Sequence, residues 1–279
     1  MPLKVSIGRT PHPGARHLLS AVLFASLLPG ISLPAQQLSA QQIVQRSIEP
    51  NNKDWDSAQD YDYFQRKRDG GTTRTYDVIM LEGSRYYRLV AIDDRPLSPE
   101  DQAREKHNFA AAIAQRKQET AKAREQRIGQ YQKDRERYHV LMGELTNAFD
   151  FTLSGEQMLG SHRVYVLKGK PRRGYHPPNK LAKALTGMQG TLWIDAADFH
   201  WVKGEVEVVH PVWIGGLIAR VDPGTRFELA QDPIADGVWM PSHFSMETRA
   251  TVLLLFSRSQ REDSTYFSYH KPGTMPEDK

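Results

Sequence analysis

The sequence of 279 residues contains no cysteine. Without a thiol, the chain can form no disulfide or zinc–thiolate site, and it can carry no catalytic cysteine or lipid anchor on cysteine. A chain of this length can bury a core large enough to fold without disulfides. We therefore expect packing alone to stabilise one globular domain, or at most two small ones.

The sequence also lacks the short motifs of the large enzyme classes. A G-x-S-x-G elbow, an H-E-x-x-H helix, a phosphate-binding glycine loop and a dinucleotide fingerprint are all absent. His200, His210 and His243 could join an aspartate in a metal site, but no two of them have the i, i+4 spacing of ligands on one helix. We therefore predict a protein that is not an enzyme and has no cofactor, metal or catalytic residue.

Long apolar runs are also missing, because no segment after the N-terminus approaches the ~20 residues of a membrane span. At the N-terminus, three basic residues precede the apolar run Leu18–Leu28, and a small residue follows at Ala35. This order is typical of a secretory signal peptide. We predict a signal peptide over residues 1–35, cleaved at Ala35 or Ala40, and a single periplasmic domain over residues 36–279.

The charge of the predicted mature chain is close to neutral. Removing residues 1–35 takes away three positive charges and no acids, so the formal charge falls from +4 to +1. A nearly neutral protein offers no general electrostatic attraction to phosphates. We therefore expect no nucleic-acid partner.

Local patterns predict a helix and then a sheet. Ser39-x-x-Gln42 is a capping box that begins a short helix, and Pro50 is expected to end it. Three runs rich in Tyr, Val and Ile, separated by glycine turns, predict an antiparallel meander. From Phe151 onward the chain is rich in strands that alternate apolar and polar residues, as in an antiparallel sheet with one covered face. The predicted strands are 61–68, 73–81, 84–92, 151–159, 162–170, 190–196, 200–209, 224–231, 237–250, 251–256 and 264–271.

A long charged segment interrupts the strands at about residues 98–137. Ser98 as the N-cap and Pro99 at the first helical position predict a helix, and Gly129 is expected to bend or break it. Its apolar positions are too sparse for a wide buried face. We interpret it as a solvated helix or helical arm, with partner docking as the alternative. The helix that follows from Tyr138 has the apolar spacing of one that packs on a core.

The stretch GTLWIDAADFHWVKGEVEV, residues 190–208, places two tryptophans on either side of an acidic turn. Aspartate favours turns because its carboxylate accepts hydrogen bonds from nearby backbone N–H groups. We interpret Asp195 and Asp198 as turn formers; a hydrolase that uses them with His200 is the weaker alternative. Either Trp193 or Trp201 is expected to point into the covered face.

Bulky apolar residues recur on one face of many strands. They are consistent with an ordinary core or with a cavity, because one good internal helix does not fill a strongly curved sheet. The loop 211–224 is apolar with a Gly-Gly hinge, and it is interpreted as a lid, a membrane or partner contact, or a bulged strand. The predicted ligand-binding residues are Tyr87, Leu89, Leu145, Phe149, Trp193, Trp201, Val206, Phe227, Trp239 and Phe244.

Three stretches carry a family resemblance: SRYYRLVAIDDRPLS, GTLWIDAADFHWVKGEVEV and DGVWMPSHFSME. With the order of helix, meander, helical insertion and long run of strands, residues 37–270 resemble the LolA/LolB-like superfamily. That group includes periplasmic lipoprotein carriers and sensor domains of the RseB/MucB type. Asp195 and Trp239 match its pattern as scaffold positions.

The resemblance implies an α+β fold: an unclosed, strongly curved antiparallel β-barrel of about ten or eleven strands wrapped over helices. It also implies a hydrophobic concavity that accommodates acyl chains or a partner's lipid. The leading hypothesis is an exported binding protein for a lipid, acyl chain or lipidated protein, in outer-membrane lipoprotein sorting. The alternative is an envelope interaction or stress-sensor scaffold that binds a protein partner through the charged arm.

Overall fold

The computed structural model describes residues 37–214, 219–234, 237–252 and 256–273. The predicted signal peptide lies outside these residues, so its boundary with the domain stays a prediction. The hinge of the loop 211–224 and the centre of the predicted strand 251–256 also lie outside them.

The first helix, α1, spans Ala40–Ser57 and begins at the predicted capping box. Ser39 Oγ accepts a hydrogen bond from the Gln42 backbone N–H at 3.2 Å, and Gln42 Oε1 accepts one from the Ser39 N–H at 2.9 Å. These two bonds satisfy N–H groups that have no partner within the helix.

The predicted end of α1 at Pro50 is wrong, because the helix continues for seven residues beyond it. Proline removes one helical hydrogen bond. Next to it, the Asn51 side-chain amide donates to the Ser47 carbonyl at 2.6 Å. Asn51 and Asp54 are both buried. Packing of the last two turns therefore outweighs the local cost of the proline.

Thirteen strands form one antiparallel sheet that is not closed within the described residues. Eleven of them follow one path, in the order β4-β3-β2-β1-β13-β12-β11-β8-β7-β6-β5, and β10 joins β9 to the side of β12. The α+β class and the unclosed curved sheet are thus confirmed. The strands are β1 Asp62–Asp69, β2 Thr72–Leu81, β3 Ser84–Ile92, β4 Arg95–Pro96, β5 Phe149–Leu159, β6 His162–Pro171, β7 Met188–Asp195, β8 Trp201–Val208, β9 Val212–Ile214, β10 Ala219–Val221, β11 Arg226–Pro233, β12 Trp239–Val252 and β13 Phe256–His270.

The helical insertion consists of α2, Pro99–Gln118, and the first part of α3, Ala121–Ala148. Ser98 caps α2 as predicted, since its Oγ accepts from the Asp101 N–H at 3.1 Å. The predicted break at Gly129 is wrong. The helix is interrupted at Glu119 and Thr120, and the Thr120 hydroxyl caps the start of α3. From there α3 continues through Gly129 as one helix to Ala148. A single glycine costs a helix about 1 kcal/mol, which 28 residues of continuous helix outweigh.

The insertion is docked on the hairpin of β2 and β3. From α2, the Arg116 guanidinium donates to the carbonyls of Leu81 at 2.7 Å and of Ser84 at 3.0 Å. From α3, Arg127 donates to Ser84 Oγ at 2.7 Å and to the Glu82 carbonyl at 3.0 Å. The insertion is thus solvated, with no buried residue in α2, and these arginines fix both helices to the sheet.

The two faces of the sheet differ in chemistry. One row across β7, β8, β11, β12 and β13 consists of Leu192, Gly204, Leu229, Phe244 and Ser264. Leu192 in this row packs with Ile43 and Val44 of α1, so this face is turned towards the helices.

The neighbouring row consists of Thr191, Glu205, Glu228, Ser245 and Asp263, and it lies on the opposite face because successive side chains alternate. Ion pairs cover this outer face, for example Lys203 with Glu205 and with Glu228, both at 2.9 Å. The alternation predicted from the sequence is thus visible across the sheet.

The helix α1 contacts β5, β7 and β12, which are far apart along the sheet. These contacts are made because the sheet curves around the helix. Among the described residues, no helix is both long and apolar enough to cross a membrane.

Candidate ligand cavity

A cavity of about 750 Å³ lies on the concave side of the sheet. Three parts of the chain form its wall: the last turns of α1, the middle of α3, and side chains from β1, β3, β11, β12 and β13. The sheet alone would leave this space open. The helical insertion completes it, since Arg127 to Tyr138 of α3 supply one side.

Aromatic rings dominate the wall. Tyr63 lies 5.9 Å from Tyr266 and 5.1 Å from Tyr269 between ring centroids, and Trp55 stacks on Tyr138 at 4.5 Å. All of these residues line the cavity. Such rings bury a large apolar area in few rotamers, so the wall is suited to apolar ligands.

The tyrosine hydroxyls of the wall stay protonated at neutral pH. Burial raises the pKa of Tyr266 to about 12, and it also raises the pKa values of Tyr63, Tyr138 and Tyr269. The Tyr269 hydroxyl donates to the Pro241 carbonyl at 2.7 Å. The wall therefore presents neutral phenols to the interior.

Arg135 joins the two helices of the wall. Its guanidinium donates to the Trp55 carbonyl at 2.5 Å and lies over the Trp55 ring, 5.1 Å from the centroid. In return, Trp55 Nε1 donates to the Arg135 carbonyl at 3.1 Å. This reciprocal contact fixes α3 against α1, and both residues line the cavity.

The structure brings together three of the ten residues predicted to bind a ligand. Tyr87, Trp239 and Phe244 line the cavity. Leu89 pairs with Tyr76 at the edge of the sheet and is not part of the lining. A ligand-binding role for the three residues stays a prediction.

The other predicted residues lie elsewhere. Leu145 and Phe149 pack in helix–sheet clusters below the cavity. Val206 and Phe227 border a separate space of about 670 Å³, whose lining is mostly charged. Alternation along a strand shows only which face is covered, and it cannot show which part of that face a helix fills.

The two tryptophans of the acidic turn point to different faces. Trp201 packs against α1, and its Nε1 donates to Ser47 Oγ at 2.9 Å. Trp193 lies between the buried Leu192 and Ile194 and points the other way, with the Lys203 ammonium 5.6 Å from its ring centroid. Neither ring lines the cavity.

Sequence reasoning missed the helical part of the wall. Trp55 and Arg135 were not singled out, because an isolated ring or cation in a polar helix is common. The available signal was the repeated aromatic spacing of Tyr131 and Tyr138 in a helix otherwise rich in charge. Seven residues is two helical turns, so both rings lie on one face.

Asp195 is a turn former, as interpreted. Its Oδ1 accepts from the Ala197 N–H at 2.7 Å, and its Oδ2 lies 3.0 Å from His162 Nδ1. Within the described ranges, no group of three or more histidine, aspartate or glutamate side chains has the arrangement of a metal site.

Under the cavity floor, His200 lies between two carboxylates. Its Nε2 is 3.1 Å from Asp54 Oδ2, and its Nδ1 is 3.0 Å from Asp198 Oδ1. The ring stacks on Trp239 at 5.4 Å between centroids, and the His162 ring meets Trp239 edge-on at 4.9 Å. This cluster joins α1, the acidic turn and β12 directly beneath the wall.

The His200 cluster predicts a pH-dependent stability. Burial lowers the pKa of His200, but its contacts with Asp54 and Asp198 raise it further, so the net pKa lies above the ordinary value. The stabilisation by charged His200 is therefore complete below about pH 6.5 and is lost as the pH rises through the raised pKa. Urea unfolding of the wild type and His200→Gln across this range should show their difference in unfolding free energy shrinking with rising pH. A difference that stays constant would contradict the ion-pair account.

Comparison with known proteins gives similarity only at the level of structure. No family model and no curated protein matches the sequence. Among solved structures, an outer membrane lipoprotein-sorting protein domain from Vibrio parahaemolyticus is 10% identical, with 84% of this chain and 95% of that chain covered and a TM-score of 0.34. A LolA superfamily protein from Nitrosomonas europaea is 13% identical, with 86% and 96% covered and a TM-score of 0.32.

A third match is the complex of MucA and MucB from Pseudomonas aeruginosa, at 11% identity, with 84% and 99% covered and a TM-score of 0.24. With TM-scores of this size, the matches assign neither a ligand nor a partner to this chain.

Proposed function

We propose that this protein is an exported, non-enzymatic binding protein that holds an apolar ligand, such as a lipid or the acyl chain of a lipidated protein, in the concave cavity. The observation that carries the proposal is the cavity itself, about 750 Å³ in volume and walled by aromatic rings. Each CH₂ group removed from water contributes about 0.8 kcal/mol, so part of one acyl chain suffices for useful affinity.

Tyr87 supports the same proposal. Its ring is 51% exposed although it stands on the face of β3 that is turned to the cavity. A large aromatic ring that is exposed inside a concavity offers apolar surface that a ligand would cover.

Transport of lipoproteins to the outer membrane is the specific role that we infer for such a binding protein in the periplasm. The predicted signal peptide is the support for its export. The alternative, a scaffold that binds an envelope protein through the helical insertion, stays a prediction. The insertion lines the cavity through Arg127, Tyr131 and Arg135, so deleting it would remove the wall as well as any docking surface.

Two neighbouring residues of β11 test the cavity. Leu229 lines it, whereas Ala230 pairs with Lys203 and His243 on the outer face. A carboxylate in an apolar wall is costly to desolvate. Leu229→Asp should therefore weaken binding of the neutral dye N-phenylnaphthylamine by about tenfold or more, while Ala230→Asp leaves it unchanged. Fluorescence titration measures both, with thermal unfolding as the folding control.

The proposal of a binding cavity fails if the wild-type protein does not bind the dye and native mass spectrometry detects no bound lipid or fatty acid. Equal loss in both variants would place the dye outside the cavity.

A further inference from the structure

The cavity wall contains hydrogen-bond acceptors without donors. Asp54 of α1 is 4% exposed and Gln231 of β11 is 8% exposed, and both line the cavity. Asp54 Oδ2 and Gln231 Oε1 are buried and accept no hydrogen bond from any described residue. Buried acceptors are nearly always paired in folded proteins, so two in one cavity indicate a missing donor.

The contact with His200 does not saturate Asp54. His200 Nε2 is close, at 3.1 Å, but its N–H direction does not meet Asp54 Oδ2. The same imidazole also lies 3.0 Å from Asp198 Oδ1, so one cation is shared by two carboxylates. One imidazole therefore cannot donate to all four oxygens of the two carboxyl groups.

The second oxygen of Asp54 is the one that a ligand can reach. Oδ1 accepts no hydrogen bond from the described residues and, unlike Oδ2, is not fully buried. Burial raises the pKa of the Tyr138 hydroxyl, and the nearby Asp54 carboxyl group raises it further. Asp54 and Tyr138 therefore lie near each other in the lining of the cavity.

The arginines of the wall, in contrast, already have acceptors. Arg85 donates to the carbonyls of Tyr61 and Ala58, Arg135 donates to that of Trp55, and Arg127 pairs with Glu119. A ligand carboxylate or phosphate would therefore meet guanidinium groups that are already paired, whereas a ligand N–H group finds the free acceptors of Asp54 and Gln231.

We propose that Asp54, with the amide of Gln231, binds the primary ammonium group of a ligand whose remainder is apolar. This inference rests on the proposed function, since the aromatic wall must hold the apolar part. The arginines of the wall add positive charge, so charge alone does not favour a cationic ligand. N–H donation to Asp54 is what distinguishes a primary ammonium group from other cations. A quaternary ammonium, which has no N–H, is bound less well.

Four probes of equal chain length test the inference: decylamine, decyltrimethylammonium, decanol and decanoate, below their micelle concentrations and at pH 7. The amine is protonated at this pH. Isothermal titration of the full-length protein should give decylamine about tenfold or greater preference over decyltrimethylammonium and decanoate, with decanol between them.

Asp54→Asn should remove the preference for decylamine and leave the affinity for decanol nearly unchanged. Asp198→Asn is the matched control, because it takes the other carboxylate from His200 but does not line the cavity. It should keep the preference. Gln231→Met removes the amide at similar volume and should reduce the preference for decylamine. If Asp54→Asn does not fold, this variant alone tests the ammonium site.

The results separate the two proposals. If no probe binds, the proposed function fails and the ammonium site with it. If all four probes bind equally, or if the preference survives both Asp54→Asn and Gln231→Met, the ammonium site is overturned while apolar binding stands.

Discussion

Replacing Trp239 by alanine is expected to lower the free energy of unfolding by about 3–5 kcal/mol. The ring is 3% exposed and packs in one cluster with Val164 and Val202. His200 stacks on it and His162 meets it edge-on. Truncation would thus leave a void and would also remove the surface that orients both imidazoles.

Urea denaturation followed by circular dichroism measures this effect. Trp193→Ala is the control, because its half-buried ring packs on the same cluster from the outer face. Trp193→Ala should lower the free energy of unfolding by about half as much or less, because a half-buried ring removes less apolar surface from water. Equal losses in the two variants would mean that Trp239 has no special position in the core.

Gly190→Ala is expected to destabilise the fold by about 2–3 kcal/mol, although it adds a single methyl group. This glycine belongs to β7, and a Cβ there would overlap the backbone carbonyl oxygen of Glu205 in β8. A carbonyl within a paired strand cannot move aside as a flexible side chain can. The methyl group must therefore distort the pairing of the two strands.

Gly204 provides the matched comparison in β8 itself. A Cβ at Gly204 would meet Leu192 Cδ2 at 3.5 Å, which is an ordinary contact. Because glycine weakens a strand interior, Gly204→Ala should be neutral or slightly stabilising, within about 1 kcal/mol. Thermal unfolding of both variants checks the prediction, and similar shifts would contradict the steric argument.

These two substitutions lie at the stretch where the sequence was most informative. Its alternation predicted two antiparallel strands, and Asp195 predicted the turn between them; both are observed. The same alternation could not decide which tryptophan faces the helices. Trp193 pairs with Lys203 and Ile194 pairs with Trp201, so Val202 is an extra residue on β8; after this shift in register, Trp201 packs on α1.

The candidate site was only partly visible in the sequence. Tyr87, Trp239 and Phe244 were found because they stand on strands with clear alternation. Trp55 and Arg135 were not found, because their role depends on contact between two helices, and the two residues are 80 positions apart in the chain. A local pattern carries no information about such a contact.

The sequence by itself determined the caps at Ser39 and Ser98, the turns, and the alternation of covered and exposed residues along the strands, because each depends on neighbours a few residues away. Only the tertiary structure decided that α1 continues past Pro50 and that α3 runs through Gly129. At Pro50, the burial of Asn51 and Asp54 outweighs the local cost of the proline. At Gly129, the continuous helix, docked on the hairpin of β2 and β3 by the neighbouring Arg127, outweighs the cost of one glycine. The same long-range packing turns a charged insertion into the wall of a cavity.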